Sequence, residues 1–236
     1  MYKNVLVLIP ARGGSRGVPG KNVKLLEGKP LIYYTVETAR EIFNDDQILV
    51  STDDPTIKSV VEATGLEVPF LRPEHLATDN SGMHEVMIHA VEFMEGMGKK
   101  TDILVLLQPT SPFRNSKHLR EALNLYDPSF DMVTSVKETK SNPYYVLKEE
   151  NAEGFLVPSK TGKFVRRQDC PKVWELNGAI YIINVERLKN QHIGKFKKIK
   201  KYVMDDFSSV DLDEEADWKL AEYYIKSTSA ANSTAV

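Results

Sequence analysis

The sequence predicts an α/β protein with a mostly parallel central sheet, helices between the strands, and a small inserted β lobe. Three observations predict it. Short, almost wholly apolar runs recur along the chain, as strands buried on both faces require. Segments of helical periodicity separate them, the pattern of successive βαβ units. After residue 137 that rhythm gives way to short extended pieces punctuated by Asn142-Pro143, Gly154, Pro158 and Gly162.

The first run, VLVLI over residues 5–9, ends in a glycine-rich loop and reads as a buried strand. Residues 31–43 place Leu31, Tyr34, Thr35, Thr38 and Ile42 at helical spacing. ILVS over 48–51 is the second strand. Asp54-Pro55 then opens a helix through Ala63, with Gly65 as its stop. Residues 67–71 form an extended segment. Met83, Val86, Met87, Ala90, Val91 and Met94 share one face of a helix over 83–97. ILVLL over 103–107 is a buried strand that leads into a QPTSP loop. Residues 117–126 are helical and 131–136 extended. AIYII over 179–183 returns to a buried strand, a lysine-decorated segment leads to Tyr202 and Val203, and residues 214–226 form a last amphipathic helix. The expected organisation is one domain over residues 1–226, with 138–172 as the inserted lobe and 227–236 as a disordered tail.

Composition narrows the function. Of 236 residues, 42% are hydrophobic and 27% charged, ordinary for a globular protein. Lys plus Arg total 31 against 33 Asp plus Glu, a net charge of -2, which argues against nucleic-acid or membrane-surface partners. No apolar run approaches spanning or signal-peptide length. Cys170, the single cysteine, can make neither an internal disulfide nor a Cys-based metal cage. A cytoplasmic location is expected.

The most informative segment is IPARGGSRGVPGKN, residues 9–22. It follows a strand, where open α/β sheets place their ligands. Gly13, Gly14, Gly17 and Gly20 let the backbone approach a ligand and present amide N–H groups to anions. Arg12, Arg16 and Lys21 add mobile positive charge, the combination a triphosphate needs. The segment is not a P-loop, because Ser15 and Asn22 stand where that motif has Gly and Ser or Thr. Nor is it a G-x-G-x-x-G dinucleotide loop, because Gly13 is followed by Gly14 and Ser15.

This loop resembles the signature of the acylneuraminate cytidylyltransferases (CMP-sialic acid synthetases). Further segments agree in the same order: STDD at 51–54, FLRP with LATD within 70–79, LLQPTSP at 106–112, RRQD with NGAIYI within 166–182, and VDLD at 210–213. The resemblance implies a Rossmann-like nucleotidyltransferase fold. It implies transfer of CMP from CTP to the anomeric hydroxyl of a nonulosonic acid, with pyrophosphate released. It further implies a homodimer or higher homo-oligomer, paired through the 138–172 lobe. A related sugar nucleotidyltransferase, acting on 3-deoxy-manno-octulosonate or a sugar 1-phosphate, and a non-catalytic nucleotide-sensing module are the competing readings.

Residue by residue, the resemblance gives catalytic roles to Arg12, Lys21 and Asp211. Arg12, Gly13, Gly14, Ser15, Lys21 and Asn22 would hold the nucleotide, with Arg72 and Ser81 reading cytosine. Gln108, Thr110, Ser111, Arg167, Gln168, Asn177 and Tyr181 would line the sugar site. Asn177 and Tyr181 are four apart on an extended segment, a spacing that faces them the same way. Asp211 and Asp213 alternate by two, so an extended backbone points both carboxylates to one side. Hard Mg²⁺ takes one or two carboxylates together with substrate phosphates, and this pair matches the family's metal-binding element. An acidic helix start is the plainer reading of the same stretch.

Overall fold

The computed structural model describes residues 4–14, 17–78 and 81–233, with side chains through residue 227. At its centre lies a six-stranded sheet in the order β10-β6-β9-β5-β1-β4. These strands are β1 (Val5–Pro10), β4 (Ile48–Ser51), β5 (Ile103–Leu106), β6 (Met132–Glu138), β9 (Trp174–Asn184) and β10 (Ile199–Val203). β1 runs parallel to β4 and β5, and β10 parallel to β6. β9 is antiparallel to both its neighbours. The expectation of a mostly parallel α/β sheet therefore holds, with one reversed strand that periodicity does not reveal.

Both faces of the sheet are covered, which is why its strands read as unbroken apolar runs. Val5, Val7 and Ile9 of β1 pack with α1 (Leu31–Arg40), α2 (Pro55–Glu62) and α4 (Ser116–Asn124). Leu6 and Leu8 point the other way, against α3 (Met83–Gly96) and α5 (Val185–Asn190). Asp54 caps α2 as the sequence suggests: its carboxylate accepts from Thr56 N at 2.7 Å, with Pro55 in the first turn. Residues 67–71 are extended but pair with no strand. They are held instead by Lys58 donating to the Val68 carbonyl at 2.7 Å and by burial of Val68.

Three differences from the sequence reading have physical reasons. β10 is a sheet edge whose residues are mostly exposed, so Lys200 and Lys201 sit on it as edge guards and no apolar alternation marks it. The short pair β2 (Leu25–Leu26) and β3 (Lys29–Pro30) closes the loop after β1, turning on Gly28 at φ +81°. The last helix, α6 (Glu215–Ser233), continues into the residues expected to be a tail, because no Gly or Pro interrupts them. Within the 138–172 region, the regular β structure is one hairpin of β7 (Lys148–Glu150) and β8 (Leu156–Pro158), turned at Gly154. It exposes Tyr145, Val146, Leu147, Phe155, Leu156 and Val157. A lone two-stranded hairpin is marginal in water.

Candidate active site

The loop after β1 and the segment after β10 meet at the carboxyl edge of the parallel strands, enclosing a cleft of about 420 Å³. A small apolar cluster holds them together. Val18 of the loop, Leu212 of the acidic segment and Trp218 of α6 are all buried in it. Leu212 is the middle residue of Asp-Leu-Asp, so anchoring it inward turns Asp211 and Asp213 outward, and both line the cleft. Gly17 permits this contact: a Cβ there would lie 2.0 Å from the Asp213 carbonyl oxygen. Gly13 is equally constrained. Its N–H donates to Asp53 Oδ1 at 3.1 Å, and a Cβ would meet Asp54 Oδ2 at 2.7 Å.

The cations converge on the same cleft. Arg12, Lys21 and Arg72 all line it, with the neutral Asn22 among them. Asn22 is buried and donates from Nδ2 to the Arg12 carbonyl at 3.0 Å, tying the two ends of the loop. Arg72 is buried and donates from Nε to Ser51 Oγ at 2.9 Å and from Nη2 to the Ser51 carbonyl. Burial draws its pKa down, the Asp53 charge opposes that, and the nearby Arg12 charge draws it down further. Two guanidinium groups close enough to repel, in one cleft, make a site for an anion. Lys21 Nζ lies 2.8 Å from Asp213 Oδ1 and donates to the Leu212 carbonyl at 3.3 Å.

Asp211 is the unusual acid. Burial pushes its carboxyl above the ordinary range; the Thr110 hydroxyl and Lys21 oppose the rise, and the Asp213 and Asp217 charges add to it. Its Oδ1 and the Thr110 Oγ1 are near enough for the hydroxyl to favour the charged carboxylate, but neither makes a hydrogen bond of ordinary geometry among the described residues. Leu212 N donates to the Thr110 carbonyl at 2.9 Å, which locks the acidic segment to the loop after β5. A buried carboxylate oxygen without a hydrogen bond of ordinary geometry, beside a second carboxylate, fits a hard divalent cation. Among the described residues no cluster of three or more His, Cys, Asp or Glu is placed to hold a metal alone.

Of the residues expected at the sugar, Gln108 and Thr110 line the cleft. Tyr181 is partly buried, and its phenol is close enough to Asp211 to feel that charge, which adds to burial in raising its pKa. Asn177 does not join them. Residues 177–180 of β9 oppose the single Ser135 of β6, a bulge that breaks the two-residue alternation. Asn177 is buried behind the sheet edge instead, accepting from Ser135 Oγ at 2.6 Å and donating to Ser209 Oγ at 2.9 Å. Ser111 is wholly buried and not at the cleft surface. Ser81 donates to the His75 carbonyl at 2.7 Å, and it is Met83, two residues on, that lines the cleft. Arg167 and Gln168 are exposed on the lobe, with Arg167 donating to the Lys140 carbonyl at 2.9 Å. Gly14 follows Gly13 in the loop and has open space around it. Ser15 and Arg16 lie outside the described residues.

Two residues were within quoted motifs but had no assigned role. Asp53, in STDD, holds the Gly13 amide. Gly178, in NGAIYI, has φ +74°, and a Cβ there would stand 3.7 Å from Gln108 Oε1 and 3.8 Å from Asp211 Oδ2. The Asn-Gly pair is a turn signal that pointed to such a break.

A glycine-rich, cation-bearing loop facing two carboxylates across the edge of a mostly parallel sheet is the arrangement of a nucleotidyltransferase. The chain belongs to the cytidylyltransferase family, whose model matches residues 6–228. It is 33% identical over 219 residues to a CMP-N,N'-diacetyllegionaminic acid synthase of Legionella pneumophila, covering 92% of this chain and 94% of that protein. It is also 33% identical over 224 residues to an N-acylneuraminate cytidylyltransferase of Escherichia coli, covering 94% of this chain and 52% of that one. In fold it resembles a CMP:2-keto-3-deoxy-manno-octonic acid synthetase solved with CTP, at a TM-score of 0.70 and 19% identity, over 96% of this chain and 100% of that one.

Proposed function

We propose that this protein transfers CMP from CTP to the anomeric hydroxyl of a nonulosonic acid, releasing pyrophosphate. The observation that carries this reading is the position of Asp211. It lines the nucleotide cleft and also a second hollow of about 470 Å³, bordered by Lys137, Lys140, Ser209 and Asp217. A transfer reaction needs two substrates to meet at one charged centre, and Asp211 borders both spaces.

In this reading Arg12 and Lys21 bind the β- and γ-phosphates, with the loop amides around Gly13 and Gly14, while Asn22 and Arg72 face the nucleoside. Ser81 sits on the segment that closes the nucleotide side. Gln108, Thr110 and Tyr181 orient the acceptor. Its hydroxyl oxygen forms the new bond to the α-phosphorus and gives up its proton to solvent, as the bond to the bridging oxygen of pyrophosphate breaks. Asp211 and Asp213 would hold Mg²⁺, which when bound supplies charge neutralisation at the phosphates. The chain's own contribution is positioning and fixed positive charge. Relatives named for a legionaminic acid and for N-acylneuraminate support the nonulosonic class. Use of CTP, a nucleotide of the cytoplasmic pool, supports a cytoplasmic location.

The test is to incubate the protein with CTP, Mg²⁺ and a panel of nonulosonic acids spanning both relatives' substrates, and to measure pyrophosphate. Release with at least one acid is expected. No release with any of them overturns the reading. Release only with 3-deoxy-manno-octulosonate, or with another nucleotide and a sugar 1-phosphate, replaces it.

The exposed hairpin supports assembly of two copies through their lobes, which would also set Arg167 and Gln168 at an interface. Phe155→Asp places a charge in that patch. It is expected to convert a dimer to a monomer in light scattering, with little change in the helical circular dichroism signal. A monomeric wild-type protein would refute the pairing.

A further inference from the structure

Arg114 is the deepest charged side chain among the described residues, about 2% exposed, and it lies outside the cleft. It follows the QPTSPF stretch and precedes α4. Its Nη1 donates to the Gln108 carbonyl at 3.0 Å and to the Ala179 carbonyl at 2.8 Å. Its Nη2 donates to Thr35 Oγ1 at 2.7 Å. Its Nε has no hydrogen-bond partner among the described residues. All three acceptors are neutral. Burying a guanidinium without a counter-charge is costly, and burial pulls its pKa down to about 9. An apolar side chain of the same volume would satisfy packing at lower cost, so packing alone does not account for an arginine here.

What the acceptors share does account for it. Gln108 begins the loop whose side chain lines the cleft. Ala179 lies in the bulge beside Gly178, where a Cβ would stand within 3.8 Å of both Gln108 Oε1 and Asp211 Oδ2. Thr35 belongs to α1, the helix behind them. A planar, rigid fork is the one side-chain shape that spans three such points at fixed separations. We propose that Arg114 is a positioning residue for the transfer, setting Gln108 and the Gly178 bulge at the distance that shapes the acceptor side of the site. This rests on the reaction assigned above. The nucleotide side does not hang on Arg114: Lys21, Asn22 and Arg72 are tied to Asp213, the Arg12 carbonyl and Ser51.

That asymmetry makes the test. Arg114→Lys keeps the charge but replaces the fork with a single ammonium. It is expected to lower kcat by about 10²-fold, the scale of a 1 Å misplacement of reacting groups, and to raise KM for the sugar acid while KM for CTP stays at the wild-type value. Thr35→Val removes only the Nη2 acceptor, so it keeps the question open to measurement if Arg114→Lys does not fold. It is expected to raise the sugar-acid KM several-fold, with Thr35→Ser restoring it. Wild-type kcat and sugar-acid KM in these variants, whatever their melting temperatures, would overturn the proposal. So would an equal rise in both KM values, which would mark a general structural support. An inactive wild type in the same assay would instead refute the reaction itself, and the inference with it.

Discussion

Asp211→Asn is expected to abolish transfer while making the unliganded protein more stable at neutral pH. The activity loss follows from geometry. Asp211 lines both the cleft and the second hollow, and its buried Oδ1, without a hydrogen bond of ordinary geometry, is the oxygen proposed for the cation. Charge stabilisation of that kind is worth several kcal/mol, and each ~1.4 kcal/mol is a factor of ten in rate, so about a 10³-fold fall in kcat is expected. The stability gain follows from the sign of the pKa shift. Burial raises the carboxyl's pKa in the folded state, so the folded chain pays for the ionised form relative to the unfolded one. That penalty is absent below the unfolded pKa and grows as the pH rises through the folded one. A neutral side chain of the same shape removes it. Thermal melts in chelator without nucleotide should show a higher Tm for the variant at neutral pH and a shrinking difference as the pH is lowered. Retained turnover would remove Asp211 from the chemistry. A lower Tm at neutral pH would show that its charge is compensated in the fold.

What the sequence disclosed depends on whether a signal is local. β1 and β5 were legible because helices cover both faces of the sheet, and their apolar runs record that directly. The Asp211 and Asp213 pair was legible because Leu212 between them must be buried, a period-two pattern three residues long. β10 was not, because an edge strand rich in lysine looks like a solvated loop. The separation of Asn177 from Tyr181 was not, because the alternation that joins them on paper fails at a bulge visible only when β9 meets Ser135. Arg114 was the least legible. Its partners Thr35 and Ala179 lie 79 and 65 residues away in the chain, and a buried cation held by carbonyls and a hydroxyl leaves no charge pattern to read.

Lys21→Met carries the second large expected effect, and its direction separates binding from folding. In the unliganded protein Lys21 is held by Asp213 and the Leu212 carbonyl, with only 16% of its side chain exposed. In the proposed reading the same ammonium faces the triphosphate, so nucleotide entry is expected to draw it away from Asp213 and leave that carboxylate for the cation. Removing the ammonium deletes a charge-assisted hydrogen bond worth about 1.5–3 kcal/mol, which is about a ten- to hundredfold rise in KM for CTP. It also leaves Asp213 without its partner, so divalent-ion affinity measured without nucleotide should rise. That rise should be small, because the Asp213 side chain is 68% exposed and solvent screens the pair. Weaker CTP binding with slightly tighter metal binding is a signature that a damaged fold does not produce. If both weaken together, Lys21 supports the loop's structure and does not act as the phosphate-facing cation.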